Sequence, residues 1–195
     1  LKKRNASVII YIQTLHKLKL SVSTQLEGGM KVKDMNTKTI TRLAVLMALT
    51  TVMTMVINIP TIGTNGYLNL GDMVVFLAAI ILGRKGGFLV GGLGSALADM
   101  LLGYTHYAPI TFIVKGLEGY IAGRILETKL GERTPIIATT IGGVWMAFGY
   151  YFAEIFMYGA KAALASIPGN LMQGLLGAVT SVVLFTALKK SRIMN

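Results

Sequence analysis

Two charged residues three positions apart, Lys115 and Glu118, lie in the middle of the largely apolar stretch FIVKGLEGYIAGRI between Phe112 and Ile125, whose other charge, Arg124, sits at its end. On a helix such a pair lies about 60° apart around the axis and shares one face. Charged groups at bilayer depth cost at least about 2.5 kcal/mol each, so these two have to be buried in protein. Asp99 and Glu154 are further acidic groups within apolar segments. Two readings of Lys115 and Glu118 stand open: a structural ion pair between helices, or the polar lining of a ligand cavity. Neighbouring segments favour the second. Asn65, Tyr67, Asn69 and Asp72 follow one apolar run, Tyr104, His106 and Tyr107 lie in GYTHYAP, and Asn170 and Gln173 lie in IPGNLMQG. Asn and Gln both donate and accept, and Tyr presents a flat apolar face with a polar tip. Together they suit a small, flat, polar heterocycle. Each also has a plainer reading: Tyr as an interfacial belt residue, His106 as a solvated loop residue, Asp72 as an anion at a helix N-terminus.

The rest of the composition says what must position these groups. Of 195 residues, 53% are hydrophobic and 14% charged, with mean hydropathy +0.63; soluble domains carry about 25% charge. The chain reads as an all-α integral membrane protein. Its net charge of +11 fits loops facing anionic lipid better than nucleic acid. Without cysteine, disulfides, thiolate catalysis and Cys-based metal sites are excluded, and His16 and His106 do not make a His-rich site. There is no G-x-x-x-x-G-K-[ST], no H-E-x-x-H and no G-x-S-x-G. The expectation is therefore a non-enzyme with no metal or cofactor of its own.

Six apolar segments follow one another: about 40–58, 72–83, 87–102, 109–126, 135–158 and 169–188. The second is short for a bilayer, which takes about 20 residues. Lys31, Lys33, Lys38, Arg42, Arg84, Lys85, Arg124, Lys129, Arg133, Lys189, Lys190 and Arg192 fall on one side of six alternating spans, against Lys161 on the other. The positive-inside rule then predicts a six-helix bundle with both termini cytoplasmic. The outer connections are 59–71, 103–108 and 159–168. Residues 1–29 have basic flanks and an apolar run too short to span. They read as a translated leader or a disordered basic tail, with Met30 or Met35 as the start and 30–195 as the membrane domain.

Small residues recur at helical spacing, Gly87, Gly91 and Ser95 in one segment and Gly116, Gly119 and Gly123 in another. They let helix backbones approach closely in lipid, which is ordinary internal packing. No internal repeat supports an inverted-repeat transporter.

Taken in order, LAVLMALTT, YLNLGDMVVFLAAIILGRKGGFLVGGLGSALADML, PITFIVKGLEGYIAGRI and IPGNLMQG resemble the substrate-binding S components of energy-coupling factor (ECF) vitamin transporters, over about residues 30–190. Within that family the pattern is most similar to members for hydroxymethylpyrimidine, pyridoxine or riboflavin. The resemblance implies a subunit of the bacterial cytoplasmic membrane that binds a vitamin from outside. It would dock on a transmembrane scaffold driven by two cytoplasmic ATPases, which would use ATP and Mg, and topple to carry the site inward. Ala44 and Ala48, as A-x-x-x-A, would form the docking seam. The 59–71 loop would gate the ligand, with Gly63 and Gly66 giving hinge freedom. In the site so implied, Lys115 and Glu118 hydrogen-bond the ligand's polar edge opposite Asn170 and Gln173. Tyr104, Tyr107 or Trp145 stack on its ring, in a cavity of about a few hundred Å³. A proton-coupled secondary transporter using Glu154 or Asp99 is the alternative.

Overall fold

The computed structural model describes residues 36–61 and 64–191. The 1–29 segment, both candidate start residues and the hinge glycine Gly63 lie outside the described residues. Of the compact unit 1–40 only the beginning of the first helix is described, and the second unit, Thr41–Asn195, holds the rest of the chain.

The described elements are α1 (Thr37–Val56), β1 (Ile59–Pro60), β2 (Tyr67–Leu68), α2 (Gly71–Leu102), α3 (Ala108–Leu126), α4 (Lys129–Arg133), α5 (Pro135–Tyr158) and α6 (Ala160–Lys190). The strands form a two-residue antiparallel hairpin pairing Ile59 with Leu68 and Pro60 with Tyr67. Four helices, α1, α2, α5 and α6, are long and apolar enough to cross a membrane. The 19-residue α3 carries Lys115, Glu118 and Arg124.

Two expected boundaries differ. The second and third apolar segments are not separated by a loop. They join in α2, broken only at Gly83, where φ 71° and ψ −171° interrupt the helix. That region of backbone space is nearly glycine-only. Likewise 159–168 is not a loop: α6 begins at Ala160 and passes through Pro168. Membrane helices tolerate an internal proline where neighbouring groups satisfy the freed backbone. Only Gly159, at φ 86° and ψ 160°, separates α5 from α6.

The first part of α2 is enclosed by protein, with Val74, Val75, Phe76, Leu77, Ala78 and Ala79 all buried. An enclosed helix need not match the bilayer's thickness, which accounts for its shortness. Phe76 and Ala79 pack with Ala122 of α3 and Ala178 of α6 as the core cluster. The remainder of α2 runs backbone against backbone with α3: a Cβ on Gly91 would strike the Lys115 carbonyl, and one on Gly119 the Gly87 carbonyl. That close approach brings the face bearing Lys115 and Glu118 up against α2. At the opposite seam, a Cβ on Gly143 would lie 2.9 Å from the Cα of Gly174, joining α5 to α6. Thr51 of α1 donates to the Gly94 carbonyl of α2 at 2.8 Å. Outward-facing residues such as Ile113, Phe152, Phe156, Met172 and Val183 are exposed and apolar.

Candidate functional site

Lys115 is 1% exposed and Glu118 0%, so the pair is buried as its chemistry demands. Lys115 donates from Nζ to Asp72 Oδ1, and lies 3.1 Å from Glu118 Oε2. Asp72, in the first turn of α2, is the partner that spacing along the chain does not reveal. Its Oδ2 accepts from Gln173 Nε2 at 3.0 Å, and Gln173 Oε1 accepts from the Asn69 backbone N–H at 2.8 Å. Asn69 Oδ1 in turn accepts from the Gly71 backbone N–H at 2.8 Å. One network thus ties α2, α3, α6 and the loop before α2. Neither Glu118 oxygen has a hydrogen-bond partner among the described residues; Oε2 is met only by the ion pair with Lys115.

A second cluster centres on Glu154 of α5, whose Oε1 accepts from the Tyr107 hydroxyl at 3.1 Å and whose Oε2 accepts from the Ser166 hydroxyl. Tyr107 stacks near Tyr158, with ring centroids 6.2 Å apart. In a third, Tyr67 donates to Asp99 Oδ1 at 2.6 Å, and Tyr150 donates to Thr111 Oγ1 at 3.0 Å. Tyr67 and Tyr107 precede their helices. Burial pushes both phenols above their usual range. The Asp99 charge adds to this at Tyr67, and the Tyr158 hydrogen bond and then the Glu154 charge add to it at Tyr107. Both therefore remain hydrogen-bond donors at neutral pH.

These clusters surround a polar cavity of about 30 Å³ whose lining includes Thr54, Asn69, Ser95, Lys115, Glu154 and Asn170, with Tyr67, Tyr107, Thr111, Tyr150 and Gln173. Water needs about 10–15 Å³ by this measure, so the enclosed space takes a water or two. It is smaller than the few hundred Å³ expected, and Thr61, Gly66 and Tyr67 of the hairpin together with Tyr107 form part of its wall. The loop is held by its own contacts: Thr61 N–H donates to the Gly66 carbonyl at 3.0 Å, and the Thr61 and Thr64 hydroxyls lie 2.8 Å apart. On its other side lies an open recess of about 480 Å³ lined by Asn65, Gly66, Leu102, Tyr104 and His106 among others. Thr61 and Gly66 wall both spaces.

The expected site residues therefore divide. Asn69, Lys115, Tyr107, Asn170 and Gln173 meet at the cavity. Asp72 and Glu118 stand behind Lys115. Tyr104 and His106 line the outer recess, where the Tyr104 ring lies 4.8 Å from that of Tyr67. Trp145 is 38% exposed and does not line the cavity, so it is not in a place to stack there. Thr54, Thr111 and Tyr150 carry no sequence signal, since hydroxyl residues within apolar helices form no motif, and Ser95 reads in the sequence only as a small packing residue. Glu154 stood out as a buried acid, but its place at the cavity was not legible. Ala44 and Ala48 are exposed on α1.

Comparison with known proteins matches residues 34–190 to the family of ECF-type riboflavin transporter S components. The chain is 29% identical over 168 residues, 85% of its length and 97% of the relative's, to the thiamine precursor transporter HmpT of Lactococcus lactis subsp. cremoris (strain MG1363). It is 36% identical over 140 residues, 72% of its length and 94% of the relative's, to an uncharacterized protein in a gap 3' region of Pyrococcus woesei.

Proposed function

The chain belongs to the S components of ECF-type transporters, a family of multi-pass membrane proteins, and from that membership we propose that it is the high-affinity substrate-binding subunit of a vitamin importer. Its ligand is a small heterocyclic vitamin or precursor, hydroxymethylpyrimidine or pyridoxine before others, taken from outside. The observation that carries this reading is the enclosed polar cavity around Lys115, Asn170 and Glu154, at the end of the helices where the hairpin loop lies. Asn170 is 6% exposed and makes no side-chain hydrogen bond among the described residues, so its amide remains available to a guest.

A ring does not fit in about 30 Å³, so binding requires the 59–71 loop to swing away and close again. The Tyr67–Asp99 hydrogen bond and the Asn69–Gln173 hydrogen bond are the contacts that such opening breaks. The outer recess is the approach to the gate. In the membrane, the halves of α2 on either side of Gly83 act as separate segments, which with α1, α3, α5 and α6 makes six crossings and puts both termini in the cytoplasm. The exposed seam at Ala44 and Ala48 docks on a transmembrane scaffold subunit. Two cytoplasmic ATPases bound to that scaffold supply ATP and Mg chemistry, and the chain itself performs none.

The experiment is to purify the chain in detergent, identify co-purifying small molecules by mass spectrometry, and reconstitute it alone in liposomes with and without a proton gradient. The expected result is stoichiometric ligand without gradient-driven accumulation. Accumulation by the chain alone would instead establish a proton-coupled transporter.

A further inference from the structure

Lys115 and Glu154 are the charged side chains lining the cavity among the described residues, and their charges are met in different ways. The Lys115 ammonium lies between two carboxylates, Asp72 and Glu118. Glu154 is 2% exposed and forms no ion pair among the described residues; its oxygens accept only from the neutral hydroxyls of Tyr107 and Ser166. A carboxylate has about four acceptor positions, so two donors leave capacity unused. Thr54 Oγ1 and Ser95 Oγ line the same cavity, buried and without hydrogen-bond partners, and Asp99 Oδ2 behind Tyr67 also lacks one. A buried carboxylate short of donors is costly, and a guest that brings donors relieves that cost. An anionic guest would add to it. Lys115 carries three N–H donors for two carboxylate partners, which leaves one for an acceptor on the guest.

The geometry points to Glu154 as the group that selects the ligand. It accepts from an amino group or protonated ring nitrogen of the bound heterocycle, while Lys115 serves a ring acceptor. The site thus takes neutral or cationic rings that present N–H donors and excludes phosphate esters and carboxylates. This rests on the cavity being the vitamin site, and specifies the ligand class within it.

The test is calorimetric binding to the full chain in detergent. The probes are 4-amino-5-hydroxymethyl-2-methylpyrimidine, its 4-deamino counterpart, which has hydrogen at C4 and no N–H donor, and its phosphate ester. In the unaltered chain the amino probe should bind at least about tenfold tighter than the deamino probe, as loss of a charge-assisted hydrogen bond implies, and the ester should not bind. Glu154→Gln, which keeps the side chain's shape but can also donate, should shrink or reverse the amino preference. An unchanged preference in Glu154→Gln, an ester that binds as tightly as the alcohol, or no binding of the amino probe would each overturn the proposal. The amino-to-deamino comparison on the unaltered chain decides the matter if Glu154→Gln does not fold. Asn170→Ala and Thr111→Val on the same probes separate the two levels. If they weaken binding while Glu154→Gln leaves the preference intact, the cavity is the site and Glu154 is not its selector. If none of the three changes affinity, the cavity is not the site.

Discussion

Replacing Lys115 with methionine would leave Asp72 and Glu118 facing each other at 1% and 0% exposure without a cation. Removing one partner of a buried ion pair costs about 3–5 kcal/mol. Lys115→Met should therefore lower the thermal unfolding temperature in detergent markedly, and adding Asp72→Asn should recover part of the loss. Equal losses in the single and double variants would mean that the pair is not coupled. Asn170 poses a different case, because it has no internal hydrogen bond to lose. Asn170→Ala should leave the unfolding temperature unchanged and weaken ligand binding by about two- to tenfold, the span of one neutral hydrogen bond. The burial of Lys115 and Glu118 was legible because a cation and an anion three residues apart in an apolar run have no other tolerable place. Their third member was not. Asp72 lies 43 residues from Lys115, and single-sequence spacing carries no signal for such a contact.

The loop between α1 and α2 and the break within α2 show where element-level reading succeeds and fails. The polar, glycine-containing 59–71 segment is legible as a loop by composition, a gating role for it is implied only by the family resemblance, and the hydrogen bond by which Tyr67 reaches Asp99 spans 32 residues. Tyr67→Phe removes a hydrogen bond to a carboxylate, worth about 1.5–3 kcal/mol. Ligand dissociation should accelerate by about tenfold or more, measured by stopped-flow displacement, while the fold stays intact; an unchanged rate would mean that the hydroxyl is not the latch. In the sequence, Arg84 and Lys85 fall in the gap between the second and third apolar segments, which predicts a connection there. One residue at φ 71° suffices instead. Gly83→Ala puts a Cβ into a conformation that costs about 1–3 kcal/mol, so a matching fall in unfolding temperature is expected. The 159–168 segment, expected as an outer connection, is instead helical, because α6 starts at Ala160 and continues through Pro168.

At the scale of the molecule, among the described residues, large apolar side chains lie exposed along the helices while Asp72, Asp99, Lys115, Glu118 and Glu154 are buried, the arrangement of a protein whose solvent is lipid. Exposure of large apolar residues on α5 and α6, such as Phe152, Phe156, Met172 and Val183, is what lipid contact provides for. The exposed face of α1 combines Ala44 and Ala48 with Val45, Leu49 and Val52. Lipid would be satisfied by any apolar residue at 44 and 48, whereas a helix approaching in van der Waals contact needs small ones. Ala44→Trp separates these roles, since Ala44 is exposed and does not line the cavity. The variant should keep ligand affinity within about twofold but lose co-purification with the scaffold subunit, because an indole there holds an approaching backbone away. Retained co-purification would assign the seam to lipid. Loss of both ligand and scaffold would mean that α1 supports the cavity, and that Thr54, on its buried face, is displaced when the outer face is altered.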